Sequence, residues 1–428
     1  MTPSVTITFR GGAPYVVTGR TTCLIGRSSA CDIRPTGPSV SRHHCLLDVN
    51  PPRVRVRDLG SRNGTHVNGE RLQEGAERDL ADGDEIQCGG AVLRVAVAGA
   101  AVDGAVDGSA DNRSTDDGRD PAVAVRELLA AAEAGEPSLA ELRGHRLLGE
   151  LGRGGQGVVH LARYEPTGQL RALKTLVADG TLDAAARYGF LREFACTRAL
   201  RHRNVLSFYG GGVHGGTFCF AGEFCGLGSV TDLVTRSDGG LAVEQAVELT
   251  LQALRGLAYA HTAPVPVRLA DGTGAVHRGL VHRDLKPQNL LLTGAPDAVT
   301  LKIADFGLAK AFDSAGLSGH TLTGAMGGSL AFMPRGQVID FKYAQPEVDL
   351  WAVTACLYWM LTGCAPRDFP PGADPVAVVL REPPVPVRDR RPTLPRQLAE
   401  LIDATLVDRP GITPTTAHDL ARALLEAR

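Results

Sequence analysis

The sequence lacks the features that would place the chain in a membrane, outside the cell or on nucleic acid. No run of 18 apolar residues occurs, and the opening stretch, MTPSVTITFRGG, has no apolar signal core. The 45 basic residues nearly balance the 47 acidic ones, so the net charge of −2 gives no reason for bulk attraction to nucleic acid or membranes. The nine cysteines are scattered without a C-x-x-C pair, which fits a reducing cytoplasm better than a disulfide framework or a zinc site. We therefore expect a soluble cytoplasmic protein.

Short strands separated by turn residues are predicted for residues 1–97. Segments such as SVTITF, HCLLDV and RVRVRDL have strand character, with Gly, Asn and Pro between them and no helical period. This pattern predicts an all-β sandwich. Residues 98–143 then begin with a stretch of Ala, Gly, Asp and Ser that cannot bury enough surface to offset its ordering entropy. We expect a flexible linker there, and its AVAVRELLAAAEAG segment is compatible with a short helix.

A mixed α+β domain is predicted for residues 144–428. Strand-like segments come first, as in GQGVVHLARY, and helical segments dominate after Gly228, as in AVEQAVELTLQALRGLAYAHT. A β-rich part followed by an α-rich part indicates two lobes with a cleft between them. The whole chain is therefore predicted to be multi-domain, a sandwich followed by a bilobal domain.

A glycine-rich loop and a lysine lie on neighbouring predicted strands of this second domain. Gly152, Gly154 and Gly157 form G-x-G-x-x-G between two strands, so the loop is a hairpin whose backbone N–H groups can approach phosphates. Lys174 follows on the next strand and needs an acidic partner, for which Glu193 is the candidate. Each signal alone has an ordinary explanation, a hairpin of no functional consequence and a lysine whose stem covers apolar surface.

Two polar clusters next to apolar strands supply the remaining chemistry. VHRDLKPQNLLL places a carboxylate, an ammonium and an amide directly before a strand, and D-F-G follows the strand VTLKIA. Asn289 and Asp305 can hold Mg²⁺ through oxygen. Asp284 is then free to accept a proton from an attacking hydroxyl, and Lys286 to neutralise a transferring phosphate. Any one of these residues could be a turn or a cap, but their joint occurrence is hard to explain structurally.

The order of Gly loop, Lys, Glu, H-R-D-x-K-x-x-N and D-F-G resembles the bacterial eukaryotic-like protein kinases, and DLKPQN resembles their serine/threonine class. The resemblance implies a bilobal kinase fold with ATP and Mg²⁺ (or Mn²⁺) in the cleft, and Asp349 as the buried helix aspartate that braces the catalytic loop. It implies these catalytic residues: Asp284, Lys286, Lys174 and Glu193. It implies these nucleotide-binding residues: Leu151, Gly152, Gly154, Gly157, Val159, Ala172, Lys174, Glu223, Cys225 and Leu291. The implied metal ligands are Asn289 and Asp305.

The resemblance also suggests a regulatory site and some departures. Arg283 is expected to pair with a phosphate on Thr321 or Thr323 of the activation loop, although both could be unmodified loop residues. Gly336 stands where the family has the glutamate of A-P-E. Gly222 occupies the gatekeeper position, so we expect open space behind the adenine. A longer segment at 262–280 is interpreted as a surface hairpin.

The first domain carries G-R, S-x-x-H and S-x-N-G-T-x-x-N-G on turns that could converge at one end of a sandwich. This pattern resembles the forkhead-associated (FHA) domain, which implies binding of phosphothreonine peptides. Arg27 and Ser41 would contact the phosphate, Arg42 and Arg62 would flank it, and Asn63 would hold the peptide backbone. A plain hairpin turn with solvated arginines is the alternative for the Asn63 segment taken alone.

The sequence as a whole predicts an ATP-dependent serine/threonine protein kinase with an N-terminal FHA module. We expect it to phosphorylate protein substrates and its own activation loop. The FHA module would bind a phosphothreonine-containing protein or that phosphorylated loop, with no nucleic-acid or membrane partner. One alternative is an FHA-containing pseudokinase scaffold that binds partners without transferring phosphate. A small-molecule phosphotransferase is disfavoured by the long activation loop with its paired threonines.

Overall fold

A computed structural model gives the fold of the 428-residue chain. It describes residues 4–9, 12–18, 21–27, 31–37, 39–59, 61–73, 77–98, 121–154, 157–177, 194–214, 217–237, 239–268, 274–295, 298–306, 327–339, 344–408, 411–413 and 415–428. The chain divides into two compact units. The first is made of residues 1–114, 335–343 and 367–383, and the second of the remaining residues.

The strands and helices follow the chain in this order. The strands are β1 Ser4–Phe9, β2 Tyr15–Val17, β3 Thr21–Ile25, β4 Cys45–Asn50, β5 Arg53–Asp58, β6 Thr65–Val67, β7 Glu70–Arg71, β8 Glu77–Leu80, β9 Glu85–Cys88, β10 Ala91–Ala98, β11 His145–Gly154, β12 Gly157–Tyr164, β13 Gln169–Val177, β14 Phe208–His214, β15 Thr217–Glu223, β16 Pro264–Arg268, β17 Gly274–Arg278, β18 Leu290–Ala295 and β19 Ala298–Ile303. The helices are α1 Pro121–Glu133, α2 194–199, α3 Val230–Thr235, α4 Val243–Ala260, α5 Gly327–Leu330, α6 Arg335–Ile339, α7 Glu347–Thr362, α8 Pro375–Arg381, α9 Val387–Arg390, α10 Arg396–Thr405 and α11 Ala417–Glu426, with short 3₁₀ helices at Pro137–Leu142 and Pro287–Asn289.

The first unit is built on an all-β sandwich, as predicted. One sheet has the strand order β2-β1-β10-β9-β6-β7 and the other β3-β4-β5-β8. Alternate residues such as Val5 and Ile7 of β1 point into a core that also contains Val54 and Val56 of β5. Because side chains alternate across each strand, one apolar face per sheet is enough to close this core.

The later segments of the first unit contribute helices α6 and α8. Arg57 of β5 forms an ion pair with Asp374, the N-cap residue of α8, and both side chains are almost completely buried. Arg381 at the end of α8 donates to the carbonyl of Leu59. A buried pair of this kind is costly to break on one side only, because the other charge is then left without its partner.

The β-rich lobe of the second unit is a five-stranded antiparallel sheet with the order β11-β12-β13-β15-β14. Helix α1 and the 3₁₀ helix Pro137–Leu142 cover one face of it. Val125 and Leu128 of α1 pack with Leu173 and Cys219 in a common apolar cluster. The segment from Pro121 to Leu142 is therefore part of this lobe, although it precedes the first strand of the sheet.

Three consecutive glycines in β14 let the 3₁₀ helix lie directly against the strand. A Cβ atom at Gly212 would come within 2.7 Å of the Ser138 carbonyl oxygen, and one at Gly210 within 2.6 Å of the Glu141 Cβ. Contacts this close exclude any side chain unless the backbone shifts. The close approach of the 3₁₀ helix therefore explains Gly210 and Gly212 of the YGGGV motif, whereas a Cβ at Gly211 would meet the Phe220 and Phe194 rings.

The α-rich lobe is organised around α7, which is buried on all sides. Trp351 and Tyr358 are fully buried, and the Trp351 indole donates to the Leu406 carbonyl at 2.9 Å. A helix that is apolar all round belongs in a core rather than at a surface. Helices α4, α9 and α10 pack against it. Among the described residues no helix combines the length and apolar character needed to cross a membrane.

Candidate active site and phosphopeptide site

Asp349, in the first turn of α7, binds the backbone of the catalytic loop. Its carboxylate accepts the backbone N–H groups of His282 at 2.8 Å and Arg283 at 2.9 Å, and the His261 Nε2 lies 2.8 Å away. Burial is the largest influence and favours the neutral acid, but the hydrogen bond and charge of His261 outweigh it and lower the pKa of Asp349 below its usual value. The charged carboxylate therefore fixes the loop, including Arg283 with its left-handed φ of 68°.

His282 connects the catalytic loop to the segment that contains Asp305. Its Nδ1 accepts the N–H of Asp284 at 3.2 Å, so its Nε2 carries the proton and donates to the Ala304 carbonyl at 2.7 Å. The imidazole ring also lies 4.8 Å from the Phe306 ring, centroid to centroid. The two polar clusters of the sequence are therefore brought together through one buried histidine.

Asp284, Lys286 and Asn289 form a compact group in the catalytic loop. The Lys286 Nζ lies 2.9 Å from the Asp284 Oδ2 and donates to the Ser329 Oγ at 2.7 Å. The Asn289 amide donates to the Asp284 carbonyl at 2.7 Å. An ammonium beside a carboxylate suits a site where a hydroxyl loses its proton and a phosphate is transferred, because both charge changes are balanced locally. Ser329 joins this group through its hydroxyl.

Lys174 and Asp305 form the second charged group of the cleft. The Lys174 Nζ lies 2.5 Å from the Asp305 Oδ2, with both side chains largely buried. Burial alone would raise the pKa of Asp305, but the attraction and hydrogen bond of Lys174 more than compensate, so the pKa is lowered and the carboxylate is charged. Glu193, the predicted partner of Lys174, lies outside the described residues.

The donor set at this end of the cleft fits a magnesium ion. Asp305 supplies a charged carboxylate and Asn289 a side-chain amide, both oxygen donors of the kind that Mg²⁺ prefers. The Ala304 N–H donates to the Asn289 carbonyl at 2.8 Å, so the two residues lie on directly bonded segments. Both predicted metal ligands are therefore in one place, beside Lys174.

Strand pairing places three of the predicted nucleotide-binding residues, Val159, Ala172 and Lys174, on one face of the β-rich lobe. Val159 pairs with Lys174, and Ala172 pairs with Gly222 across the next strand. Because Leu173 points into the cluster beneath α1, its neighbours Ala172 and Lys174 point to the opposite face. Lys174 reaches Asp305 from this face, so this face of the sheet borders the candidate active site.

The glycine-rich hairpin has one position where only glycine fits. Gly157 has a φ of 114°, and a Cβ there would lie 2.2 Å from the Thr175 carbonyl oxygen. Gly152 has open space around it, and Leu151 beside it is exposed. Gly154 is the last residue of β11, where it pairs with Gly157. The hairpin therefore keeps its backbone close to β13 through Gly157.

Glu223, the last residue of β15, and Cys225 after it have polar and apolar contacts at the predicted adenine site. The Glu223 N–H donates to the Ser207 carbonyl at 2.9 Å, and its carboxylate lies 2.8 Å from the Lys302 Nζ. Cys225 and Leu291 pack against a neighbouring aromatic cluster. Burial raises the pKa of Cys225 to about 12, so its thiol is protonated.

The departures from the family pattern have different surroundings. A Cβ at Gly222 would contact the Phe208 ring at 3.6 Å, so Phe208 bounds the space expected behind the adenine. Gly336 is exposed, and a Cβ there would meet no atom within 4 Å. Its missing side chain leaves no buried void. Thr321 and Thr323 lie outside the described residues.

The predicted phosphopeptide residues meet at one end of the sandwich. The Arg27 N–H donates to the Ser41 carbonyl at 3.1 Å, and the Arg62 N–H donates to the Ser41 Oγ at 3.0 Å. The Asn63 amide donates to the Ser39 carbonyl at 2.7 Å. The side chains of Arg27, Arg42, Arg62 and Asn63 are exposed. Guanidinium groups grouped in this way could grip a phosphate dianion.

Two buried residues, His44 of the S-x-x-H motif and Asp58, support this end of the sandwich. His44 accepts the Ser41 N–H with Nδ1 at 3.1 Å, and its Nε2 lies 3.2 Å from the Gly64 carbonyl. Asp58 accepts the hydroxyls of Ser61 and Thr65, each at 2.6 Å. Burial would raise the pKa of Asp58, but these hydrogen bonds lower it below its usual value. Asp58 was not predicted, although it lies directly before the L-G-S-R-N-G motif.

Two family models match the two parts of the chain. The protein kinase domain family matches residues 145–424, and the FHA domain family matches residues 23–89. The solved kinase domain of PknI from Mycobacterium tuberculosis, a double mutant, has 19% identity and a TM-score of 0.47, over 66% of this chain and 95% of that one.

Curated relatives match through the kinase part. Serine/threonine-protein kinase PknJ of Mycobacterium tuberculosis is 31% identical over 290 residues, 66% of this chain and 45% of that protein. PknF of the same species is 29% identical, over 66% of this chain and 56% of that protein. For pkn2 of Myxococcus xanthus the identity is 28%, over 66% and 32%. The chain therefore spans between about a third and just over half of these relatives. Because the kinase match alone covers well over half of its residues, the chain belongs to the protein kinase family and carries an FHA domain before the kinase domain.

Proposed function

We propose that the chain is an ATP-dependent serine/threonine protein kinase whose FHA domain binds phosphothreonine peptides. The observation that carries the proposal is the meeting of Lys174, Asp284, Lys286, Asn289 and Asp305 in one cleft. A scaffold that only bound partners would have no need of two carboxylates, each beside an ammonium, next to a glycine-rich hairpin. Acidic and basic groups brought together in this way are common at functional sites.

Each residue has a role in the proposed transfer. Asp284 accepts the proton of a serine or threonine hydroxyl of the substrate. The oxygen of that hydroxyl forms the new bond to the γ-phosphorus of ATP, while the bond between the γ-phosphorus and the oxygen that leaves with ADP breaks. Lys286, beside Asp284, compensates negative charge on the transferred group. Lys174 orients the phosphates, with Glu193 as its proposed partner. Asn289 and Asp305 would hold Mg²⁺ or Mn²⁺, which neutralises charge on the triphosphate when bound.

The nucleotide would lie under the glycine-rich hairpin, against the face formed by the strands β12, β13 and β15. Backbone N–H groups near Gly152, Gly154 and Gly157 would approach the phosphates. The proposed apolar and polar contacts to the adenine and ribose are those predicted from the sequence: Leu151, Val159, Ala172, Glu223, Cys225 and Leu291.

The FHA domain would regulate the kinase by binding phosphothreonine. Arg27, Ser41, Arg42, Arg62 and Asn63 would bind a phosphothreonine on a partner or on the activation loop of the chain itself. Autophosphorylation at Thr321 or Thr323 would also give Arg283 a phosphate to pair with. A tethered reader meets its own loop at high effective concentration, which favours self-engagement. We place this activity in the cytoplasm, in line with the scattered cysteines, which include no C-x-x-C pair.

Phosphate transfer from labelled ATP tests the enzymatic proposal. The purified full chain is incubated with Mg²⁺ and labelled ATP beside Lys174→Met and Asp284→Asn, and phosphosites are then mapped by mass spectrometry. Label in the wild type, and its loss in both variants, would support the kinase. Equal label in all three proteins, or none in any, would contradict it.

Phosphopeptide binding is measured separately. The full chain is titrated with a peptide in its phosphothreonine, phosphoserine and unmodified forms, with Arg27→Ala as the matched variant. Selective binding of the phosphothreonine form without any phosphate transfer would favour the pseudokinase scaffold. Equal binding of all three peptide forms would contradict the reader function.

A further inference from the structure

Asp305 lies between two backbone carbonyls that are both held by buried side chains. On one side, His282 donates to the Ala304 carbonyl at 2.7 Å. On the other, the hydroxyl of Thr197 donates to the Phe306 carbonyl, also at 2.7 Å. The His282 contact belongs to the catalytic loop, whereas Thr197 lies on α2 and carries no role in the function proposed above.

The backbone of Asp305 needs such support. Its φ is 58°, in the left-handed region that residues with a Cβ seldom adopt. A conformation of this kind persists only where the surroundings over-determine it, and it is common at functional sites. The ion pair with Lys174 restrains the Asp305 side chain. The His282 bond restrains the peptide directly before Asp305, and the Thr197 bond restrains the peptide that follows Phe306, which limits the rotation of the backbone after Asp305.

The Thr197 hydroxyl bonds to the Phe306 carbonyl in a place that water does not reach. It is 2% exposed and Phe306 is 1% exposed, so water cannot replace the hydroxyl if it is removed. A threonine in a helix usually returns its hydroxyl to a carbonyl one turn earlier in the same helix. Here the hydroxyl donates across to another segment, 109 residues further along the chain.

The helix that carries Thr197 is itself fixed in place. The Cys196 thiol donates to the Pro266 carbonyl of β16 at 3.0 Å, and the Phe194 ring packs 4.4 Å from the Phe220 ring. The contact to β16 involves the hairpin of β16 and β17, which lies within the 262–280 segment. Consecutive residues of α2 therefore contact this hairpin and the segment after Asp305.

We propose that Thr197 is a positioning residue for the phosphoryl-transfer reaction. Its hydroxyl holds the Phe306 carbonyl and so keeps Asp305 in the left-handed conformation, with the carboxylate beside Lys174 and available to a divalent cation. The inference rests on the proposed function, because it assigns Thr197 to the same metal-binding end of the cleft.

Two substitutions in the full chain separate the hydrogen bond from packing. Thr197→Val keeps the shape and removes the donor, whereas Thr197→Ser keeps the donor and removes a methyl group. We expect Thr197→Val to raise about tenfold the Mg²⁺ concentration for half-maximal binding of a non-hydrolysable ATP analogue, and to lower kcat by a similar factor. Thr197→Ser should stay within about twofold of wild type in both measurements. Thermal stability should fall in both variants, because valine leaves the buried Phe306 carbonyl without its donor and serine leaves a methyl-sized void.

The same chemical change elsewhere provides the control. Thr250 of α4 is 2% exposed and donates to the Ala246 carbonyl of its own helix at 2.8 Å. Thr250→Val should leave the Mg²⁺ dependence unchanged. A purely structural role for Thr197 would make activity and metal dependence follow thermal stability in all three variants.

The outcomes distinguish this inference from the proposed function. Wild-type transfer that is unchanged in Thr197→Val would overturn the inference and leave the kinase standing. An absence of transfer in every protein, with Mg²⁺-dependent nucleotide binding still weakened by valine and not by serine, would overturn the kinase and the role of Thr197 in transfer, and would support only the placement of Asp305 by Thr197. No nucleotide binding in any protein would overturn both.

Discussion

The FHA site and the kinase cleft are each supported by one buried carboxylate, but the two carboxylates act over different distances along the chain. Asp58 bonds to side chains three and seven residues away. Asp349 bonds to groups that precede it by 66 to 88 residues, the farthest being His261. The turn from Asp58 to Thr65 is therefore held by contacts between residues close in sequence, whereas the catalytic loop depends on the packing of α7. Substitutions should show this difference directly.

The largest effect is expected from Asp349→Asn. Three donors would lose a charged acceptor in a fully buried place, and hydrogen bonds to a buried charge contribute about 1.5–3 kcal/mol each. We expect the free energy of unfolding of the kinase unit to fall by about 3 kcal/mol and kcat to fall about hundredfold, since misplaced catalytic groups are costly. Denaturant unfolding and initial rates measure both. Asp389→Asn, at an exposed first-turn position of α9, is the control and should change neither.

A smaller, confined effect is expected from Asp58→Asn. The substitution weakens the bonds to Ser61 and Thr65, and the affinity for a phosphothreonine peptide should fall about tenfold. Because the support is local, kcat for a peptide substrate should not change. Fluorescence anisotropy and kinase rates on the same protein test this, with the exposed Asp79→Asn as control. A large fall in kcat would contradict the locality of the FHA loop.

The pH dependence should also separate the two sites. Burial lowers the pKa of His44 below its usual value, so the neutral ring is the folded form, and its contribution to stability is lost as the pH falls below about 6.5. Protonation would also break the bond from the Ser41 N–H to Nδ1. Because the pKa of Asp349 is lowered in the folded chain, its charged carboxylate contributes to stability until the pH falls below about 3.9. We expect peptide affinity to decrease as the pH falls below about 6.5 and His44→Gln to flatten that profile.

The smallest effect is expected at Gly336, where the family glutamate is missing. A side chain there would enter open space, so Gly336→Glu should change the free energy of unfolding by less than about 0.5 kcal/mol. Phosphate transfer should change by less than about twofold on the same grounds. A large gain in rate would mean that a glutamate at this position finds a partner that the present contacts do not suggest.

Short-range patterns were enough to predict most of the fold and the candidate catalytic residues. The alternation of β1 and the H-R-D and D-F-G sequences are local signals, and the sandwich and the two family memberships are confirmed. The individual site residues, including those that the structure brings together, remain predictions until they are tested.

The supporting contacts could not be read from the sequence because they join distant segments. Nothing near His261 indicates that it bonds to Asp349, and Thr197 looks like any threonine in a helix. The cover of the β-rich lobe by α1 is similar, since an apolar helical stripe does not say which face it meets. Such partners are set by the fold, and only a structure identifies them.

The cover formed by α1 and the 3₁₀ helix affects how the catalytic part can be isolated. A fragment begun at residue 145, where the family match starts, would expose Leu173, Cys219 and Ala221 to water together with the bare glycine strand. Such a fragment should aggregate or lose activity for reasons unrelated to catalysis. A fragment begun ahead of Pro121 would keep α1 and the 3₁₀ helix over the sheet, and it is the better starting point for crystals and inhibitor screens.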